Sequence, residues 1–223
     1  MPIAPLALIA IDGPSGVGKS TAAKRIAQEL GWDYLDTGAM YRAAALGLQR
    51  SEVALSDRAA LAHALANLQI DQQGSRTFLY GKDVSEEIRT PEVTKLVTPV
   101  SADASVREVL VEQQRTIGQR GRWVVDGRDI GTVVFQNACC KIYLTASAEA
   151  RARRRYLEQQ AKGIGASMSL EEVTEDIRRR DSADSTRAAS PLRKADDAIE
   201  LDSSDMTLDD VVAWIVNHHR THD

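Results

Sequence analysis

The stretch IAIDGPSGVGKSTAAKRIAQELG, residues 9–31, passes from apolar to glycine-rich to helical within two dozen positions. Its centre spells Gly13-x-x-x-x-Gly18-Lys19-Ser20, the P-loop pattern. Each residue type has a chemical reason. Glycines let backbone N–H groups close around phosphate oxygens with no Cβ in the way. The helix that follows points its positive N-terminus at the same anion. Lys19 supplies a mobile charge for β and γ phosphates, Ser20 offers a hydroxyl to Mg²⁺, and Thr21 adds a polar group beside it. A chance match in a chain of this length is on the order of 1%. The loop Gly13, Pro14, Ser15, Gly16, Val17, Gly18, Lys19, Ser20 and Thr21 is therefore read as the binding site of a nucleoside triphosphate with magnesium.

The flanks agree. Leu6–Ile11 is a nearly continuous apolar run, as in a strand buried on both faces of a parallel sheet. Thr21–Leu30 has helical spacing, and Gly31 suits its C-terminal stop. Further strands are predicted at Trp32–Asp36, Arg122–Gly127, Lys141–Thr145 and Ala198–Asp202. Helices are predicted over Met40–Gln49 with Thr37 as cap, Asp57–Leu68 with Ser56 as cap, and Ser105–Gln119. Two more follow, one capped by Ser147 and a closing amphipathic one capped by Thr207. Strands alternating with helices predict a three-layer α/β core around a parallel sheet. Gln69–Val84 breaks that rhythm and reads as an inserted hairpin; Ala161–Ser169, glycine-rich between two helices, reads as a mobile loop.

Composition narrows the classes. The chain has 223 residues, 43% hydrophobic and 27% charged, which suits one sizeable globular domain. A net charge of −4 argues against coating a nucleic acid polymer or an anionic membrane. No signal peptide or membrane span is visible, so a cytoplasmic address is expected. Cys139 and Cys140 are adjacent and read as reduced, buried strand residues. No His/Cys cluster has zinc spacing.

A P-loop does not name the reaction. A GTPase should carry N-K-x-D, which is absent, and the strand WVVD ends Asp126-Gly127 rather than in the Asp-Glu of many motor ATPases. A kinase of a small acceptor fits better. A phosphorylated acceptor needs its own cationic clamp, and Arg42 and Arg128 follow predicted strands, where ligands bind in such sheets. Arg178, Arg179, Arg180 and Arg187 lie at the end of a helix. Asp36, Asp126, Asp129, Asp181 and Asp184 lie among these arginines, with Asp36 and Asp181 alternatively serving only to hold loops. A kinase of another small acceptor, such as shikimate, and a non-catalytic nucleotide switch remain open at this point.

The segments GPSGVGKST, YLDTGAMYRA, DGRDIGTVVF and RRRDSADSTRAASPL, taken together and in order, resemble the bacterial cytidylate kinases over nearly the whole chain. The resemblance implies an adenylate-kinase-like fold with a five-stranded parallel sheet, in one P-loop kinase domain over residues 1–223. An acceptor lobe would occupy about 38–103, with the hairpin at about 69–84, and a lid about 155–170. It implies phosphoryl transfer from Mg·ATP to CMP or dCMP by a monomer. Arg42, Arg128 and Arg187 would hold the acceptor phosphate, with Lys19, Arg128 and Arg187 catalytic. Asp184 and Arg180 would read the sugar, and Thr98, Arg107 and Asp129 the cytosine. Thr37 would lie near the acceptor, and Arg154 and Arg155 near the ATP phosphates. The family usually has serine where this chain has Thr98 and Thr37, and proline where it has Gln136; threonine keeps the hydroxyl but adds a methyl.

Overall fold

In the computed structural model, residues 6–161 and 169–222 are described. The first apolar run is strand β1 (Leu6–Asp12), and the lysine of the glycine loop opens helix α1 (Lys19–Leu30). Gly31 closes α1 in a left-handed conformation. Next come β2 (Asp33–Asp36), α2 (Thr37–Arg50) and α3 (Arg58–Ala66). The inserted segment forms β3 (Ile70–Gln73), β4 (Arg76–Leu79) and β5 (Lys82–Asp83), an antiparallel three-stranded sheet. Then follow α4 (Pro91–Ala102), α5 (Ala104–Gly118), β6 (Trp123–Gly127), a π-helical turn (Ile130–Val134) and β7 (Ala138–Thr145). The chain continues through α6 (Ala148–Ala161), α7 (Leu170–Thr186), β8 (Ile199–Asp202) and α8 (Leu208–His222).

The main sheet has the order β2-β6-β1-β7-β8, every pair parallel. Alternation along β1 divides the core. Leu8 and Ala10 face a cluster with Leu35, Val125 and the apolar sides of α2 and α5. Ile9 and Ile11 face the other way, against α1, α8 and Leu144. The three layers expected from the sequence are present. A third, small cluster of Ala152, Val173 and Ile177 joins α6 to α7.

Register decides where the polar ends fall. Asp36 pairs with Asp126 and Asp12 with Gly127, so three aspartates meet at one edge of an otherwise apolar sheet. Gly13 follows at once. A Cβ there would lie 2.0 Å from the Leu144 carbonyl oxygen of β7, so only glycine lets the loop leave the sheet at this point.

Several local expectations are corrected. Thr37 is not the cap of α2: the Asp36 side chain accepts from Ala39 N–H at 2.8 Å, and Thr37 is the first helical residue. Its hydroxyl donates instead to the Asp126 carbonyl. Asp57, not Ser56, caps α3, which stops at Ala66. Cys140 is buried, but Cys139 is exposed. Helix α4 has no counterpart in the sequence reading, which assigns no element between Val84 and Ser105. Pro91 sits at the first helical position, where its missing N–H costs nothing, and Thr90 caps it. Most of the loop expected at 161–169, and much of the lid, lies outside the described residues.

Candidate active site

The carboxyl ends of β1, β2 and β6 open into a cleft of about 1500 Å³ running from the glycine loop to the inserted hairpin. That is more room than the roughly 300–1,000 Å³ of a single small-ligand pocket. Ser15 through Thr21 line one end, and Gly13 and Pro14 are not among the lining residues. Lys19 Nζ donates to the Gly13 and Pro14 carbonyls at 2.8 and 2.7 Å. Burial, and the Arg128 charge next, push the Lys19 ammonium down to about 7.

Ser20 donates its hydroxyl to Asp126 Oδ2 at 2.8 Å, and Tyr34 donates to the other carboxylate oxygen at 2.7 Å. Burial and the neighbouring Asp36 raise Asp126 to about 6. A hydroxyl and a carboxylate side by side at the mouth of a phosphate loop are hard oxygen donors. They suit Mg²⁺, which takes few protein ligands and completes its shell with water and phosphate.

The opposite wall is cationic although the whole chain is acidic. Arg42, Arg107, Arg128, Arg155, Arg180 and Arg187 all line it. Arg128 Nε binds Asp184 at 2.7 Å, and Arg187 lies 3.4 Å from Asp129 and 4.0 Å from Asp184. Arg42 donates to the Ile88 carbonyl and to Thr94. Arg180 pairs with Asp176 at 3.0 Å. Burial lowers Arg42, Arg180 and Arg187, and neighbouring arginines lower each further. Cations crowded this way repel one another, and a phosphate between them relieves that repulsion.

Arg107 and Asp129 form a buried ion pair, each 5% exposed at the side chain. Arg107 also donates to the Ser101 carbonyl and lies over the Tyr41 ring, 5.2 Å from its centroid. Removing the carboxylate strands a buried charge. Asp129→Ala is expected to lower unfolding free energy by about 3 kcal/mol in urea denaturation. An unchanged midpoint would show that the pair carries no such load.

Thr98 is the sequence-predicted residue that the structure leaves outside. It is exposed on α4, and Val97 and Ser101 line the cleft from that helix instead. Thr37 and Arg155 line the cleft. Arg154 lines it too, but its guanidinium is spent on the carbonyls of Ser203, Ser204 and Met206, so it shapes the loop after β8.

Other residues of the site were not singled out from the sequence. Asp12 accepts from Ile130 and Gly131 N–H at 2.8 and 2.7 Å, which fixes the turn carrying Arg128 and Asp129 to the start of the glycine loop. Burial raises it to about 6. Gln72 of β3 exchanges two hydrogen bonds with the Asp36 backbone, at 2.9 and 2.7 Å, and ties the hairpin to β2. Arg151 is buried while Arg153 is exposed and Arg154 and Arg155 are half-buried. The signal for it was the helical spacing of residues 151, 154 and 155.

The cytidylate kinase family model matches residues 9–221. The chain belongs to the cytidylate kinase family. It is 52% identical to a cytidylate kinase of Rhodococcus jostii over 94% of this chain and 93% of that protein. It is 49% identical to one of Caldanaerobacter subterraneus over 92% and 90%. A bifunctional pantoate ligase/cytidylate kinase of Trichormus variabilis is 46% identical, with 96% of this chain matching 41% of that protein. Among solved structures, a shikimate kinase from Bacteroides thetaiotaomicron superposes with a TM-score of 0.51 at 12% identity, covering 96% of this chain and 98% of that one. That likeness shows the fold alone. Membership of this family makes the chain a phosphotransferase. Among the described residues no helix is long and apolar enough to cross a membrane.

Proposed function

We propose that this chain transfers the γ-phosphoryl group of ATP to CMP, and to dCMP, giving ADP and CDP or dCDP. The observation that carries the reading is the pair of anion sites facing each other across one cleft. The glycine loop with Lys19 forms one; Arg42, Arg128 and Arg187 form the other.

An acceptor phosphate is already ionised, so no strong general base is needed. Its oxygen attacks the γ-phosphorus, the bond to the β,γ-bridging oxygen breaks, and ADP leaves with the bonding electrons. Charge spreads over the transferring oxygens as this happens, and catalysis consists of holding both ends in line beneath fixed cations. Lys19 faces the donor phosphates, while Arg128 and Arg187 face the acceptor and the transferring group. Ser20 and Asp126 would hold Mg²⁺, which would neutralise charge on the β and γ phosphates. Asp184, on α7 beside Arg128, accepts from sugar hydroxyls, with Arg180 nearby. Asp129 accepts a hydrogen bond from the 4-amino group of cytosine, and Arg107 orients Asp129. Thr98 joins this reading only if α4 turns it inward. The enzyme acts as a cytoplasmic monomer.

Phosphorus NMR of the protein mixed with Mg·ATP and CMP tests the reaction. ADP and CDP should rise together as ATP falls. ADP rising with free phosphate instead would point to hydrolysis and contradict the proposal.

The lysine gives a pH dependence. A triphosphate beside Lys19 favours the ammonium and raises its pKa above the free-protein value of about 7. Below pH 7 the cation is already present. Above it, binding must take up a proton, so affinity falls with rising pH, by at most roughly tenfold per unit. Titration calorimetry of a non-hydrolysable ATP analogue from pH 6 to 9 should show this weakening with proton uptake. A flat profile would place the Lys19 pKa well above 9.

A further inference from the structure

The P-loop is gripped from outside by the helix pair α6–α7. The Ser15 carbonyl accepts from Arg151 at 2.9 Å, and the Ser15 N–H donates to Asp181 Oδ1 at 3.1 Å. Arg151 and Asp181 bind each other at 2.6 Å, and Arg151 also donates to the Ala146 carbonyl. Both backbone groups of one loop residue are thus held by a single ion pair, with Arg151 buried and Asp181 half-buried. Packing reinforces the grip. A Cβ on Gly16 would lie 3.4 Å from Ile177 of α7 and 3.7 Å from the Arg151 Cβ, so the helices rest on the loop itself.

The same helix reaches the other ligand. One turn beyond Asp181, Asp184 binds Arg128 Nε at 2.7 Å, and at the end of α7 Arg187 lies 3.4 Å from Asp129. Asp181 and Asp184 lie three residues apart on one rigid helix. The grip on Ser15 and the groups that position Arg128 and Arg187 therefore share one helix.

We propose that Arg151 and Asp181 are positioning residues that couple the two substrates: the Arg151–Asp181–Ser15 connection makes donor and acceptor binding mutually reinforcing. The proposal rests on the donor and acceptor reading above. Neither residue touches a substrate. Each acts through the loop on one side and through α7 on the other. Coupling of this kind is reciprocal, so each ligand strengthens the other by the same factor.

The test is titration calorimetry of CMP with and without a saturating Mg²⁺-bound, non-hydrolysable ATP analogue. It uses the full chain and the variants Arg151→Lys and Asp181→Asn. Lysine keeps the charge but cannot span Ser15, Asp181 and Ala146 at once. Asparagine keeps one acceptor and turns an amide toward the other donor. In the unsubstituted protein the analogue should tighten CMP at least about fivefold, the lower end of typical coupling. In both variants that factor should fall toward one, while each ligand alone binds within about threefold of the unsubstituted protein. A merely structural role would lower the thermal midpoint and leave the factor intact, which would overturn the proposal. So would CMP binding to the unsubstituted protein with no enhancement by the analogue. No CMP binding in the unsubstituted protein would instead overturn the acceptor reading, and the proposal with it.

Discussion

Lys19→Ala and Arg128→Ala are each expected to lower kcat at least ~100-fold, the scale of losing one preorganised donor to a transition-state anion. The two losses should differ in form. In the proposed reaction Lys19 faces the donor, with its ammonium held against the Gly13 and Pro14 carbonyls, so its removal should also raise the KM for ATP. Arg128 is held by Asp184 across the cleft, so its removal should raise the KM for CMP. Steady-state kinetics with each substrate varied in turn reads both. Lys19 is 5% exposed, and thermal unfolding of the variants separates lost catalysis from lost folding. Turnover close to that of the unsubstituted enzyme in either variant would remove that residue from the transition state.

UMP is expected to be a poor acceptor, with kcat/KM about 10³-fold below that of CMP. A site built around a hydrogen bond rejects the partner that lacks it by roughly 10⁴–10⁵. The smaller figure follows from the ion pair at the base-reading position. Asp129 repels the carbonyl that uracil carries in place of the amino group, but Arg107, bound to Asp129, offers that carbonyl a donor. Competition between CMP and UMP in one reaction measures the ratio directly. Equal kcat/KM values would show that Asp129 does not read the base and serves only to hold Arg107 and Arg187.

Much of this arrangement was legible before any coordinates. Residues 9–31 contain an apolar run, a glycine loop and a helical period, and each physical cue acts within a few residues of itself. The parallel sheet followed from the alternation of such segments, and Arg42 and Arg128 from their places after strands. What sequence reading missed depends on contacts between distant residues. Asp12 was not singled out; its role comes from the turn at Ile130 and Gly131, 118 positions away for the first of these. Asp181 had two readings, and the structure takes the one that holds a loop, through Arg151 and Ser15. Helix α4, with Pro91 at its first position and Pro99 in its interior, was not assigned from the sequence. Asp36, not Thr37, caps α2 because the aspartate ends a strand with its carboxylate turned back over the first helical amides. The hydroxyl of Thr37 was thereby free to reach Asp126, a contact no local pattern announces.

The central claim is that one cleft holds ATP and a cytidine monophosphate together. Initial rates of ADP release with Mg·ATP, measured with CMP, dCMP, AMP, shikimate or no acceptor, test it most directly. The account predicts fast release with CMP and dCMP and rates near the no-acceptor background with the others. A slow rate that no acceptor raises would contradict it and make the protein a nucleotide hydrolase or switch on a kinase fold.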